Sequence, residues 1–111
     1  MANSKLSGGN YRKAIIDTAP GTDGYWTAGV SPRGKSTDRL FMSIAEEGDS
    51  DAFTATVTLQ FMAPGDSEWQ VYATYTEATR EIIEDSGATL WRVGVDNGDY
   101  TSGTVSVTID W

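Results

Sequence analysis

The sequence contains neither cysteine nor histidine. Without cysteine there is no disulfide and no thiol nucleophile. With histidine missing as well, the usual zinc sites and the usual general base at neutral pH are gone. Much of enzymology is thereby removed. Long hydrophobic runs are also lacking: no apolar stretch approaches the length of a membrane span, and Met1-Ala2-Asn3-Ser4-Lys5 leads into no hydrophobic signal core. The expectation is a soluble product, made in the cytoplasm, with no membrane partner.

Positive charge is scarce. Eight Lys and Arg face sixteen Asp and Glu, for a net charge of -8, and the distribution along the chain is uneven. Residues 1–39 hold Lys5, Arg12, Lys13, Arg33, Lys35 and Arg39 against three acids, whereas residues 40–111 hold Arg80 and Arg92 against thirteen. So acidic a body repels phosphates, which disfavours a nucleic-acid partner.

What the chain does contain is alternation. Trp91, Val93 and Val95 share one parity, as do Val105, Val107, Ile109 and Trp111, and the turn-rich segment between these runs predicts a terminal β-hairpin. The clearest strand places Phe53, Ala55, Val57, Leu59 and Phe61 on a core face, with Thr54, Thr56, Thr58 and Gln60 on a wet one. Ala63-Pro64-Gly65-Asp66 then turns the chain into Trp69–Tyr75, with Trp69, Val71, Ala73 and Tyr75 in register for the same core face.

Other segments are less regular. Tyr11–Thr18 suits a first strand, and Tyr25-Trp26-Thr27 a short one at the head of a long connection. Arg39–Glu46 reads as a strand buried on both faces, because Phe41 and Ala45 interrupt its alternation. Thr79–Asp85 fits either an edge strand with charged flanks or a single helical turn. Residues 1–10 have no periodicity and contain Gly8-Gly9, so they read as a flexible N-terminal arm ahead of a single domain, 11–111. About seven short strands and no convincing helix predict an all-β fold, an antiparallel β-sandwich of jelly-roll or Ig-like type.

Candidate chemistry is sparse. Carboxylates are plentiful, but no spacing singles out a pair facing across a cleft as a glycosidase needs. Asp49-Ser50-Asp51 and Asp96-Asn97-Gly98-Asp99 offer hard oxygen ligands for calcium; neither matches the twelve-residue calcium loop, and tight turns use the same residues. No catalytic residue, metal site or cofactor is assigned. Trp69, Trp91 and Trp111 fall in phase with aliphatic residues, leaving Tyr25 and Trp26 as the candidate exposed aromatic pair for stacking on a glycan. Arg92 is out of phase with its apolar neighbours and lies close to Gly94, which suits an ion pair across the sheet.

The run Arg92-Val93-Gly94-Val95 followed by Gly98-Asp99-Tyr100-Thr101-Ser102-Gly103-Thr104-Val105 resembles the C-terminal signature of small β-sandwich virion proteins of tailed bacteriophages. The likeness extends weakly through Ala55–Gln60 and Trp69, about half the chain. It implies a non-enzymatic virion structural protein made in the host cytoplasm, most concretely a capsid decoration or cement protein partnered with the major capsid protein. Homo-oligomers are expected, and trimers at symmetry axes would suit a capsid lattice. In that picture Lys5, Leu6, Tyr11, Arg12 and Lys13 belong to a capsid-docking arm. A tail, baseplate or fibre component is the neighbouring alternative, and a glycan-binding module the more distant one.

Overall fold

Period-two alternation decides which way each strand faces, and nine strands follow it in a computed structural model that describes residues 3–8, 11–29, 31, 39–46, 53–84 and 90–111. In chain order they are β1 (Ser4–Ser7), β2 (Tyr11–Ile16), β3 (Tyr25–Trp26), β4 (Arg39–Glu46), β5 (Thr54–Met62), β6 (Gln70–Tyr75), β7 (Thr79–Glu84), β8 (Leu90–Ser102) and β9 (Val105–Asp110). The described residues include no helix.

The strands form two antiparallel sheets, with orders β1-β2-β9-β4-β7 and β3-β8-β5-β6. Setting β1 aside, each sheet takes four of eight strands in the interleaved order of a jelly roll, which decides between the two expected sandwich types. Val57 and Leu59 on β5 and Trp91, Val93 and Val95 on β8 face Ala14, Ile16, Leu40, Met42, Ile44, Val105, Val107 and Ile109 of the five-stranded sheet.

The predicted terminal hairpin is corrected. β8 and β9 are consecutive but belong to different sheets, so their apolar faces meet across the core instead of lying side by side. Gly103 makes that passage, at φ 87° and with Phe53 so near that a Cβ would stand 2.7 Å from its Cα. The β5–β6 hairpin is present, closed by Asp66 N–H donating to Ala63 C=O at 3.0 Å.

Two other expectations change, and one that was open between two alternatives is decided. β4 is buried on one face only, for Phe41 turns to solvent while Leu40, Met42 and Ile44 face the core. Thr79–Glu84 resolves as an edge strand, β7, beside β4. Trp69 and Val71 do not share the core face of Ala73 and Tyr75. Leu59 pairs with Ala73 and Gln60 with Val71, so Tyr72 is an extra residue, and this bulge reverses the parity of everything before it. Tyr72 itself lies edge-on to Trp91, with ring centroids 5.1 Å apart.

At the N-terminus, Ser4–Ser7 pairs with Arg12–Ile15 as the edge of the larger sheet. Asn3 ties down the chain start: its Oδ1 accepts from Asp17 N–H at 2.8 Å and Thr18 N–H at 3.0 Å. Residues 4–7 of the predicted arm are therefore built into the domain. The Asp49-Ser50-Asp51 loop lies outside the described residues.

Candidate docking face

Sheet geometry sorts the predicted docking residues into two sets. On β1 and β2, Lys5 and Arg12 share the parity of buried Ala14, whereas Leu6, Tyr11 and Lys13 point away from the core. Lys5 Nζ accordingly sits 5.0 Å from the ring centroid of Tyr25. Arg12 lies over Trp111 at 5.1 Å and donates to the carbonyls of Gly8 and Tyr11, each at 2.8 Å. Both cations are thus engaged within the domain.

The outward set belongs to an exposed apolar row that the sequence did not reveal. Tyr11 pairs with Asp110, Asp110 with Phe41 and Phe41 with Ile82, so one line of side chains crosses four strands of the five-stranded sheet on its outer face. Tyr11 is 36% exposed, Phe41 39% and Ile82 61%, with Leu6 on the same face at 50%. At one end, a hollow of about 280 Å³ is lined by Arg39, Leu40, Phe41, Ile82, Asp110 and Trp111. Lys13, Arg39 and Arg80 border the row on its outer face. The signal available beforehand was parity: Phe41 and Ile82 are out of phase with their buried neighbours.

Charge follows the same division. Five of the eight basic residues (Lys5, Arg12, Lys13, Arg39, Arg80) lie on strands of this sheet. The same strands also carry Glu46, Glu81, Glu84 and Asp110, whereas the other sheet's strands carry Arg92 with Asp96 and Asp99, and the described loops add Asp17, Asp23, Asp66, Glu68 and Glu77. This sheet's strands are thus close to balanced in charge, with Lys13, Arg39 and Arg80 against Asp110 and Glu84 on the outer face, while the rest of the described body is acidic.

Over Thr58 and Gln60 the outer face of the four-stranded sheet is covered by its own aromatics, which corrects the expectation of an exposed Tyr25-Trp26 platform. Trp26 is 6% exposed, and its Nε1–H donates to Asp23 C=O at 2.7 Å. Tyr25 takes the opposite parity and packs against the core. Because the bulge at Tyr72 puts Trp69 on this outer face, the Arg92 guanidinium lies between two indoles, 4.2 Å from Trp26 and 4.4 Å from Trp69. Its Nε–H donates to Gln60 Oε1 at 2.8 Å. Thr58 and Gln60, expected on a wet face, are buried beneath this assembly. Burial lowers the Arg92 pKa, and the nearby Asp96 charge works in the opposite direction. Arg92 was expected to find an acid across the sheet; its hydrogen-bond acceptor is an amide, and its charge rests on two π faces.

The second acidic loop is used structurally. Val57 pairs with Val95 and Ala55 with Tyr100, which leaves Asp96–Asp99 bulging opposite Thr56. Asn97 Nδ2 donates to Gly21 C=O at 3.1 Å and Asp96 Oδ1 accepts from Asn97 N–H at 2.8 Å. Among the described residues, no three acidic side chains gather as a metal site would require.

No protein-family model matches the chain, and no curated protein matches it in sequence. Among solved structures, the crystal structure of the SPBc2 prophage-derived protein YomS resembles it with a TM-score of 0.53 and 9% identity, over 94% of this chain and 96% of that one. At that identity the likeness is one of fold.

Proposed function

We propose that this protein is a non-enzymatic structural component of a tailed-phage virion, most concretely a capsid decoration protein that lays the outer face of its five-stranded sheet on the shell. The observation that carries this reading is the exposed row of Tyr11, Phe41 and Ile82, apolar but for Asp110 between Tyr11 and Phe41, and bordered by Lys13, Arg39, Arg80 and Glu84. Apolar side chains aligned in this way and rimmed by charge suit a protein surface. The charges of both signs around the row would set its register on the partner.

The sequence resemblance to phage virion proteins supports the lineage. So does a structural neighbour of prophage origin that matches almost end to end. Many copies on a regular shell would add modest single contacts into firm attachment. In this picture β1 presents Leu6 as part of the docking face rather than as a free arm.

The test is quantitative mass spectrometry of virions purified from the phage or prophage that carries the gene, measured against the major capsid protein. Hundreds of copies would support shell-wide decoration, and a few dozen or fewer would move the protein to the tail or a vertex. Absence from the particle would overturn the proposal. In a binding assay on particles stripped of this protein, Phe41→Ser with Ile82→Ser should lose attachment while a thermal melt shows the variant still cooperatively folded.

A further inference from the structure

The exposed edge of β7 is complementary to itself. Pairing with β4 sets Arg80 opposite Ser43, Ile82 opposite Phe41 and Glu84 opposite Arg39, so these three β7 side chains alternate onto the outer face of the sheet. On its other side no described strand pairs with β7. Its backbone donors and acceptors along that edge are a template for another strand.

We propose that two copies of the chain pair β7 with β7, antiparallel, about a twofold axis through Ile82, joining their five-stranded sheets into one. In this register Arg80 of each copy stands opposite Glu84 of its partner, an exchange made twice by symmetry, and Ile82 meets Ile82 at the axis. Glu81, whose carboxylate accepts from the Tyr75 hydroxyl at 2.9 Å, falls opposite Ile83. Neighbouring registers that keep the two outer faces aligned lose this match. Centring on Arg80 or Glu81 puts like charges against each other at the axis, and centring on Ile83 sets each Ile82 against a Glu84. The charges that discourage indiscriminate edge pairing therefore admit one register with a second copy.

The same geometry covers the most exposed residue of the apolar row. Ile82, 61% exposed, gains an apolar neighbour, and the two Tyr11–Phe41–Ile82 rows run on into a single stripe across both copies. The Arg39–Glu84 contact, 3.9 Å between exposed side chains, is loose enough for Glu84 to serve a second cation. The inference concerns the purified protein and does not depend on its place in a virion.

Sedimentation velocity over a concentration series tests it. The unaltered protein should form dimers. R80E and E84R should each weaken association about tenfold or more, since attraction becomes repulsion at two symmetric sites. The double variant R80E/E84R should restore the dimer, and an equimolar mixture of the two single variants should dimerise too, because each then carries one sign at both positions. Thermal melts of all variants check that the fold is unchanged. A monomer or trimer throughout, a dimer indifferent to both single variants, or a double variant that fails to recover would each overturn the proposal.

Discussion

Arg92 donates from Nε to Gln60 Oε1 across 2.8 Å, while Trp26 and Trp69 hold its guanidinium from either side. Removing the guanidinium forfeits two cation–π contacts and strands a buried amide oxygen. Arg92→Ala should therefore lower stability by about 2–4 kcal/mol. Arg92→Lys should recover only part of that, since an ammonium cannot stack between two rings and donate sideways at once. Urea denaturation followed by tryptophan fluorescence checks both, and a loss below 1 kcal/mol for the alanine variant would show that the stack is incidental.

Gly94 pairs with Trp26 on the short strand β3 and leaves no room for a side chain. A side chain there would collide with the Tyr25 carbonyl oxygen and place a Cβ 2.8 Å from Trp26 Cα. Gly94→Ala should cost about 1–3 kcal/mol through overpacking. It should also shift Trp26 emission to the red as the indole lifts from the sheet. A variant as stable as the parent, with unchanged emission, would mean that β3 moves aside freely.

Deleting residues 1–8 distinguishes an edge strand from a free arm. The deletion removes β1, the Asn3 contacts to Asp17 and Thr18, and the Lys5 contact with Tyr25. A loss of about 1–3 kcal/mol is expected, the worth of a few exposed backbone hydrogen bonds and one side-chain anchor. An unchanged melting temperature would return this segment to the status of an arm.

Tyr75 supplies a pH dependence with a definite sign. Its pKa is raised above the ordinary 10.0, chiefly by burial and then by donation to Glu81, so the folded state favours the neutral phenol. The associated stability is fully present below pH 10 and is lost as pH rises through the alkaline range above it. Melting curves collected on both sides of pH 10 should fall more steeply for the unaltered protein than for Tyr75→Phe. Parallel slopes would show that this phenol does not set the alkaline limit.

Alternation made β5, β8, β9 and the inward half of β2 legible from sequence, because each buries one face and period two marks it plainly. It could not reveal that β8 and β9 belong to different sheets, since strands meeting across a core carry the same parity signal as strands side by side. The extra residue at Tyr72 was hidden for a related reason: Trp69, Val71, Ala73 and Tyr75 alternate without a break, and only the pairing with Leu59 and Gln60 shows where the register slips. β1 was missed because a short, exposed edge strand has no buried face to pattern. Of the candidate docking residues, Leu6, Tyr11 and Lys13 lie on the outer face, while Lys5 and Arg12 turn inward to Tyr25 and Trp111, a division that strand parity sets and an arm picture does not anticipate. Phe41 reads from sequence as one side of a strand buried on both faces, and Ile82 as part of an edge strand or a helical turn, because nothing in one strand shows that its neighbours align their own exposed apolar residues with it.

The position of β9 bears on how the protein is made. This strand lies between β2 and β4, so residues 105–110 join the two parts of the larger sheet. During translation β2 and β4 emerge early and wait for a shared partner almost at the other end of the chain. Until it arrives each has an unpaired inner edge, open to strands of neighbouring nascent chains. Crowded synthesis of many copies is where such mispairing would be most frequent, and a frameshift or nick before residue 105 would leave a sheet split down its middle.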